Sequence, residues 1–252
     1  MEERISSRKN PLLQQVRKLL ASRAERRKQG LFVGDGVKLL EEAVKYWPGL
    51  QTVILSDGVE AEVPEGVRVV RVPEDVMASI SPMEAPQGAL FLGKLPEQTE
   101  FVPKKGMLIL DGVQDPGNIG TIIRTAEGAG YGAVICLKGT ADVYSPKVVR
   151  AAAGSLFRMP IVTVASEQDL FELIRSLEKR LVVTCLEGDC IYYDVNLTEN
   201  IALVIGNEGN GASRSLIDQA DVRLRIPMKG ALESLNASVA AGILMYEAMR
   251  TK

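Results

Sequence analysis

The chain has 252 residues, of which 46% are hydrophobic and 25% charged, a composition typical of well-packed globular proteins with one large α/β domain or two smaller ones. No histidine is present, which excludes a Ser-His-Asp triad, a Cys-His pair and a histidine-ligated metal, and leaves acid–base chemistry to Asp, Glu, Lys, Tyr, Cys or bound water. Three cysteines, and the lack of any apolar run near the roughly 18 residues of a membrane span, predict a cytoplasmic protein without a disulfide framework, a metal site or a transmembrane helix.

Positive charge is concentrated in residues 1–30, although the net charge of the whole chain is only −2. The apolar spacing in this segment predicts one helix over Asn10–Gln29, with Pro11 at its first position and Gly30 at its end. Nine basic and three acidic side chains give a net charge of +6, which fits either an arm that contacts nucleic-acid phosphates or a solvated helix face. The basic residues are Arg4, Arg8, Lys9, Arg17, Lys18, Arg23, Arg26, Arg27 and Lys28.

Residues 1–93 alternate between helical and extended patterns, which predicts a small α/β domain. A second helix is expected over Asp35–Tyr46, and three short strands over Thr52–Leu55, Val67–Val72 and Ala89–Leu92. Residues 94–106 are polar, contain two prolines and show no periodicity. They are therefore expected to be a linker to a second domain, residues 107–252.

The second domain alternates continuously apolar strands with helices, which predicts a parallel sheet covered on both faces. Ligands of such sheets bind beyond the carboxyl ends of the strands, so the loops at that edge are the places to look for a site. The predicted strands are Met107–Leu110, Ala133–Leu137, Ile161–Val164, Leu181–Cys185, Ile201–Ile205 and Val222–Ile226. The predicted helices are Asn118–Ala129, Pro146–Ala153, Gln168–Leu177, Ser213–Gln219 and Leu235–Met249.

The first of three such loops follows the strand that ends at Leu110 and leads into a helix that begins near Asn118. The buried stripe of this helix is predicted to consist of Ile119, Ile122, Ile123 and Ala126. Arg124 lies off the stripe and should lean back over Gly120, toward the mouth of the loop. An arginine in that position could meet an anion, or could be an ordinary surface residue.

The second loop is the glycine-rich run Gly206–Ser213, which carries the carboxylate of Glu208. Its three glycines permit close approach of the backbone to a ligand. It is neither a Walker A loop nor a dinucleotide fingerprint, because no Gly-Lys-Ser/Thr follows and the glycine spacing differs.

The third loop runs from Ile226 into the last helix, where either Ser234 or Asn236 could be the N-cap. Together the two would place a hydroxyl and an amide at a helix N-terminus, which favours anions. The core stripe of that helix is predicted to consist of Leu235, Val239, Ile243 and Tyr246.

These three loops resemble the SpoU (TrmH-like) branch of the SPOUT methyltransferases. The matching strings are DPGNIGTIIRTAEGAG at 115–130, IGNEGNGAS at 205–213 and IPMKGALESLNASVAAG at 226–242, in the order of the family. The resemblance is close over 107–252. It implies an α/β fold whose parallel sheet carries a deep C-terminal trefoil knot. Residues 1–93 look more loosely like the RNA-recognition domain of many members, which is similar to a small ribosomal-protein fold.

The resemblance also implies S-adenosyl-L-methionine as cofactor, a homodimer, and transfer of a methyl group to a ribose 2′-hydroxyl of RNA. The implied catalytic residues are Asn118, Arg124, Glu208, Ser234 and Asn236, with Arg124 stabilising charge on the attacking oxygen and the others orienting the site. The implied cofactor-binding residues are Leu186, Gly206, Asn207, Ile226, Met228 and Leu235.

Ribosomal RNA is favoured over transfer RNA as substrate, because the first domain resembles a ribosomal protein. Three alternatives stay open at this point: an RNA-binding relative without catalysis, a nucleotide-dependent enzyme of doubly wound fold, and methylation at a base. The intact asparagine, arginine and glutamate set favours the ribose.

Overall fold

A computed structural model of the chain describes residues 3–96, 106–198 and 200–250. The chain forms two compact units. The first consists of Met1–Glu97 and Asp142–Arg158, and the second of Gln98–Ala141 and Met159–Lys252. The prediction that 107–252 is one continuous domain is therefore corrected at one place, since Asp142–Arg158 packs with the first unit. Most of the predicted linker, 97–105, lies outside the described residues, and its first residue, Lys94, ends a strand.

The first unit has a mixed five-stranded sheet in the order β1-β4-β3-β5-β2, in which β5 runs antiparallel to both of its neighbours. Its helices and strands are β1 (Glu3–Arg4), α1 (Pro11–Ala21), α2 (Arg23–Gln29), β2 (Leu31–Asp35), α3 (Val37–Tyr46), β3 (Leu50–Ser56), β4 (Arg68–Val72), α4 (Glu74–Ile80) and β5 (Ala89–Lys94). To these the inserted segment adds α6 (Pro146–Ala151) and a 3-10 turn (Ser155–Phe157). The predicted helix Asp35–Tyr46 and the three predicted strands are confirmed. The short β1, the apolar β2 and α4 were missed.

The predicted helix over Asn10–Gln29 is in fact two helices, broken at Ser22. The Ser22 backbone is extended; its N–H closes α1 on the Lys18 carbonyl, and its hydroxyl accepts from the Glu25 N–H to cap α2. Serine favours such a break because its side chain bonds nearby backbone groups. The predicted ends are confirmed: Pro11 is the first residue of α1, and Gly30 caps α2 with φ of 64°.

Aromatic rings hold the inserted segment against the first unit. Phe157 lies within 6.3 Å of Phe32 and 5.5 Å of Trp47, ring centroid to centroid. In the antiparallel pair β2 and β5, Phe32 is opposite Gly93, and Gly34 is opposite Phe91. A Cβ on Gly34 would stand 2.1 Å from the Phe91 ring, so only glycine leaves room for this packing.

A buried ion pair fixes the start of the inserted segment. The Arg26 guanidinium contacts the Asp142 carboxylate at 2.7 Å, and only 6% and 16% of the two side chains are exposed. Arg26 also donates to the Leu19 carbonyl. Burial of both charges makes this pair sensitive to the loss of either partner.

Some side chains of the predicted basic arm make contacts within the first unit. Arg4 pairs with Asp57, and Arg8 with Asp75. Arg17 donates to the Arg8 carbonyl and the Ser79 hydroxyl. Together with the buried Arg26, four of the nine basic residues therefore have intramolecular partners. The other five have no partner among the described residues: Lys9, Lys18, Arg23, Arg27 and Lys28.

The second unit has a seven-stranded sheet in the order β10-β12-β9-β11-β6-β7-β8, and every pair in it is parallel, as predicted. Its elements are β6 (Met107–Asp111), α5 (Pro116–Gly128), β7 (Ala133–Cys136), β8 (Ile161–Thr163), α7 (Glu167–Ser176), β9 (Arg180–Thr184), β10 (Cys190–Ile191), a 3-10 turn (Tyr192–Asp194), β11 (Ile201–Gly206), α8 (Arg214–Asp218), β12 (Val222–Arg225) and α9 (Ala237–Glu247). The six predicted strands and the helices between them are confirmed. Only β10 and the 3-10 turn were missed.

Helices cover both faces of this sheet. On one face, Leu170 and Ile174 of α7 and Leu216 of α8 join the core of the strands. On the other, α5 contacts α9 and β7, and α9 contacts β11. The predicted stripe of α5 is confirmed, since Ile119, Ile122, Ile123 and Ala126 are fully buried. None of the helices in the described ranges is long and apolar enough to span a membrane.

The predicted core stripe of α9 is wrong. Val239 and Tyr246 are 50% and 53% exposed, and Leu235 and Ile243 are only half-buried. The helix instead buries Ala237, Ala241, Leu244 and Met245. Because α9 is apolar on nearly every side, its periodicity did not distinguish the face that packs on α5 from the face that stays uncovered.

Candidate active site

The three loops singled out in the sequence begin at one edge of the second sheet. Strands β9, β11 and β6 are consecutive neighbours, and β12 lies beside β9. Because all four are parallel, their carboxyl ends, at Thr184, Gly206, Asp111 and Arg225, lie at the same edge. The sheet therefore brings together segments that are far apart in the sequence.

Helix α5 begins at this edge, two residues earlier than predicted, at Pro116. Asp115 is its N-cap, and its carboxylate accepts from the Asn118 N–H at 2.8 Å. The Asn118 side chain is buried and points to the loops rather than to solvent, because both of its polar atoms are bonded there. The pair Asp115-Pro116 is a sequence signature of a helix start, and it explains why the helix begins earlier than the apolar pattern predicts.

Glu208 accepts three hydrogen bonds across the gap between the loop after β11 and the start of α5. The donors are the Gln114 and Asp115 backbone N–H groups and the Asn118 side-chain amide, each at 3.0 Å. Burial would raise the pKa of the Glu208 carboxyl, but these hydrogen bonds outweigh that effect and hold its pKa below the usual range. Glu208 is therefore a fixed anion that ties the two loops together.

Asn118 continues the network into the third loop. Its carbonyl oxygen accepts from the Asn236 side-chain amide at 2.9 Å, while its own amide donates to Glu208. The Asn236 oxygen in turn caps α9 by accepting from the backbone N–H groups of Ser238 and Val239. Of the two N-cap candidates, Asn236 is therefore the N-cap. Three of the five predicted catalytic residues form one continuous chain of hydrogen bonds.

The loop after β11 is closed by its own backbone. Asn207 and Gly211 form an isolated antiparallel bridge, and the Asn207 side chain donates to the Gly112 carbonyl at 2.8 Å. A Cβ on Gly206 would stand 2.1 Å from the Ala212 nitrogen, so only glycine permits this closure. Asp111 completes it by accepting from the Ser213 N–H at 2.6 Å, a contact that the sequence reasoning missed.

Arg124 and Ser234 stand outside this network. Both are exposed, and neither has a hydrogen bond or an ion pair within the described parts of the chain. Arg124 lies on α5 six residues after Asn118, which is roughly 9 Å along the helix axis. Helical side chains lean toward the N-terminus, so Arg124 is expected to lean toward the loop edge. A cation free of protein partners at this edge is available to an anionic ligand.

The predicted cofactor-binding residues lie in the loops after β9, β11 and β12. Leu186 is 67% exposed, and Ile226, Met228 and Leu235 are half-buried. Leu232, in the third loop, is 71% exposed. Exposed apolar side chains in these loops suit a ligand that has apolar parts. These residues therefore fit S-adenosyl-L-methionine in kind.

Comparison with known proteins identifies the family. Residues 105–246 match the SpoU rRNA Methylase family, and residues 10–90 match an MRM3-like substrate binding domain. The chain belongs to the SpoU rRNA methylase family. It is 35% identical to a 23S rRNA (guanosine(2553)-2′-O)-methyltransferase of Bacillus subtilis over 97% of this chain and 98% of that protein. It is also 35% identical to a 23S rRNA (uridine(2479)-2′-O)-methyltransferase of Streptomyces viridochromogenes, over 99% and 92%.

Solved structures agree with this assignment. The fold is similar to that of an AdoMet-bound rRNA methyltransferase from Sinorhizobium meliloti, with a TM-score of 0.87, 29% identity, and coverage of 98% of this chain and 97% of that one. It is also similar to the SpoU methyltransferase AviRb from Streptomyces viridochromogenes, with a TM-score of 0.86, 30% identity, and coverage of 95% and 96%.

Proposed function

We propose that the protein transfers a methyl group from S-adenosyl-L-methionine to a ribose 2′-hydroxyl of ribosomal RNA. The observation that carries the proposal is the chain Glu208–Asn118–Asn236, which fixes three loops at one sheet edge while Arg124 stays exposed and free of protein partners. The two relatives described above are named as 23S rRNA methyltransferases, which favours ribosomal RNA as the substrate. A cytoplasmic location is part of the same proposal.

The cofactor supplies a methyl group on a positively charged sulfur. Leu186, Leu235 and the half-buried Ile226 and Met228 would line its apolar parts, and the backbone around Gly206 and Asn207 would supply hydrogen bonds. The positively charged sulfur needs no further cation beside it. The carboxylate of Glu208 already accepts hydrogen bonds from three donors. The role of Glu208 is therefore to hold the loops in place.

Arg124 would stabilise negative charge that develops on the attacking ribose oxygen and would bind the adjacent phosphate. The arginine pKa, above 12, makes removal of its proton costly, so we assign it an electrostatic role and not that of a general base. The proton would leave to phosphate or water. Ser234, which is exposed in the third loop, would contact the ligand directly rather than through the network.

The test is a methyl-transfer assay with labelled S-adenosyl-L-methionine and, separately, unmodified 23S rRNA and transfer RNA, followed by digestion to nucleosides and mass analysis. A 2′-O-methyl nucleoside from 23S rRNA is expected. Arg124→Ala should abolish it, and Arg124→Lys should retain little activity because the planar fork is lost. Arg175→Lys, an exposed arginine of α7, is the matched control. Near-normal turnover of Arg124→Lys would contradict the assigned role, and product from transfer RNA alone would correct the substrate.

We assign methyl transfer to the second unit and RNA recognition to the first. Its exposed cations without partners among the described residues, including Arg23, Arg27 and Lys28 of α2, suit RNA phosphates. Arg27→Gln should weaken RNA binding and lower the slope of log K against log salt by about 1. The matched control is Arg8→Gln, because the Arg8 guanidinium is already bound to Asp75. Equal effects of the two variants would refute this assignment.

We propose a homodimer in which the uncovered apolar face of α9 is the interface. Val239, Tyr246 and Met249 are each about half exposed on this helix and the residues just after it, a pattern that fits an interface better than a solvated surface. In light scattering after gel filtration, Val239→Glu should convert the dimer to a monomer. Ala165→Glu, in the exposed loop after β8, should leave the mass unchanged. A wild-type protein of monomer mass would refute the proposal.

We also propose that the second unit carries the trefoil knot of the family. The segment after β9 reaches β10 on the far side of β12 and then returns to β11 on the other side of β9. The later strand β12 is thereby inserted between β9 and β10, and α9 contacts the 3-10 turn Tyr192–Asp194 within that loop. Passage of a later strand through an earlier loop supports a knotted topology.

A further inference from the structure

A cavity of about 520 Å³ opens at the carboxyl ends of β6 and β11, wholly within the second unit. It is bounded by the loop after β6, the turn at Gly139 after β7, the loop after β11 and the start of α8. Neither Arg124 nor the exposed Leu186 lines it, and of the predicted cofactor residues it shares only Asn207. Its volume lies in the range of small-ligand sites.

Three polar side chains in its lining have hydrogen-bonding capacity to spare. One oxygen of the Asp111 carboxylate accepts from the Ser213 N–H, and the other has no partner in the described ranges. The side chains of Gln114 and Asn210 likewise make no hydrogen bond there, although their backbone N–H groups are bonded. The cavity therefore offers one anionic acceptor and two amides that can donate or accept.

Three glycines form part of the rest of the lining. Gly112, Gly139 and Gly211 all lie in the cavity wall and have positive φ, at 69°, 100° and 71°. Since none carries a side chain, a planar ring can approach the backbone closely. The Asp111 carboxylate disfavours phosphate, and the arginine of the lining, Arg214, is exposed and paired with Asp218. Shape and charge therefore suit a planar group that donates hydrogen bonds.

The same loops that build the cavity also build the network of the candidate active site. The Gln114 backbone N–H donates to Glu208, while its side chain lines the cavity. Asn207 lines the cavity and directly precedes Glu208 in the loop. A nucleotide in the cavity would therefore be close in the RNA strand to the nucleotide held at Arg124.

We propose that this cavity binds an unpaired base of the substrate RNA, next to the methylated nucleotide, and prefers guanine. Proteins read unpaired RNA bases through their Watson–Crick edges. Guanine presents two donors on that edge, N1–H and the exocyclic amino group, to the free oxygen of Asp111, whereas uracil presents one. Asp111 is then the residue that sets the preference for guanine, and Gln114 and Asn210 would bind the other polar atoms of the base. The inference rests on the proposed function, because an RNA substrate is what brings a base to this edge.

The first test needs no methyl transfer. GMP, AMP, CMP and UMP are titrated separately into ¹⁵N-labelled protein, and amide chemical shifts are followed. GMP is expected to move the amides of Gly112, Gly139 and Gly211, with the other nucleotides binding about tenfold more weakly, as expected for one lost hydrogen bond to a charged group. Shifts confined to residues near Arg124, or no GMP-dependent shift at these glycines, would overturn the proposal.

Asp111→Asn makes the test specific. The asparagine oxygen can keep the bond to the Ser213 N–H, so its NH₂ turns toward the cavity and the free acceptor becomes a donor. GMP preference over UMP should fall about tenfold or reverse. Glu172→Gln, an exposed carboxylate of α7, is the matched control and should leave the preference unchanged. Undiminished GMP preference in Asp111→Asn would refute the role of this carboxylate.

With an RNA substrate, Gln114→Ala and Asn210→Ala should each raise KM for RNA about fivefold and leave cofactor affinity unchanged. Unchanged KM in both variants would show that the cavity does not read the substrate. If no RNA is methylated, the nucleotide titration still decides whether the cavity binds a base. Failure of the proposed function and failure of the base pocket are therefore distinguishable.

Discussion

The hydrogen bond between Asn118 and Asn236 should couple the start of α5 to the start of α9, two segments far apart in the sequence. It joins the Asn118 oxygen to the Asn236 amide at 2.9 Å. We predict that Asn118→Ala and Asn236→Ala together destabilise the second unit by less than the sum of their separate effects. The shared bond is lost once in the double variant but counted twice in that sum.

The magnitudes follow from the contacts of each residue. Asn118→Ala removes the bond to the Glu208 carboxylate and the bond to Asn236, about 2–3 kcal/mol in all. Asn236→Ala removes the shared bond and the N-cap of α9, about 2 kcal/mol. The double variant should lose about 3–4 kcal/mol, which leaves a coupling energy of about 1 kcal/mol for a bond between neutral amides.

The assay is urea unfolding followed by far-ultraviolet circular dichroism. Fluorescence is unsuitable, because Trp47 is the only tryptophan and lies in the first unit. Gln219→Ala, at the exposed end of α8, serves as a control that removes an amide outside the network. Additivity of the two asparagine variants within about 0.3 kcal/mol would refute the coupling.

Three further predictions concern single groups. Glu208→Gln should destabilise the protein at neutral pH, because the pKa of the Glu208 carboxyl is lowered in the folded state. The stability that this carboxylate contributes is present above its unfolded pKa of about 4.3 and is lost as pH falls through the folded pKa. The difference in urea midpoint between the wild type and the variant should therefore shrink below about pH 4. Tyr131→Phe should raise stability by about 1 kcal/mol in the same unfolding assay, since the Tyr131 hydroxyl is buried without a partner among the described residues; a clear loss would show that the hydroxyl is bonded. Arg26→Met should lower the stability of the first unit by about 3 kcal/mol, because Asp142 is left buried and unpaired. Trp47 fluorescence during unfolding measures this loss, and adding Asp142→Leu should restore part of the lost stability.

Most of the second unit could be predicted from the sequence. Its strands are continuous apolar runs such as Met107–Asp111 and Ile201–Gly206, which only a buried parallel strand explains, and turn residues bound them. The first unit was harder. Ser22 breaks a helical pattern through its own cap, and the apolar run of β2 is interrupted by Gly34, which makes room for the Phe91 ring. Neither local signal shows which tertiary contact it serves.

The residues of the candidate site lie in loops that the sequence singles out, but the connections between them could not be predicted. Asn118, Glu208 and Asn236 were singled out because the three loops that contain them resemble those of the family. That they form one hydrogen-bonded chain follows only from the order of the strands. The backbone donors at Gln114 and Asp115 were missed, because the type of a residue does not show whether its backbone N–H will donate to a side chain.

The α9 stripe shows a limit of periodicity. Val239 and Tyr246 are as apolar as a core residue, so the pattern alone assigns them to the interior. Because α9 is apolar on nearly every side, a face that packs on α5 and a face that packs on another subunit would show the same sequence pattern. Only the uncovered face in the structure separates the two.

The route of the chain through Asp142–Arg158 sets a rule for dividing the protein. Because this segment leaves the second unit after Ala141 and re-enters it at Met159, the backbone passes between the two units three times rather than once. A fragment cut at the apparent boundary near residue 105 would keep the segment Asp142–Arg158 but lose the side chains of the first unit that pack against it. Val148, Val149 and Phe157 would then be exposed to water. Such a fragment is expected to aggregate. Exchanging the first unit for that of a relative would therefore require grafting this segment along with it, so that the two units are inherited together.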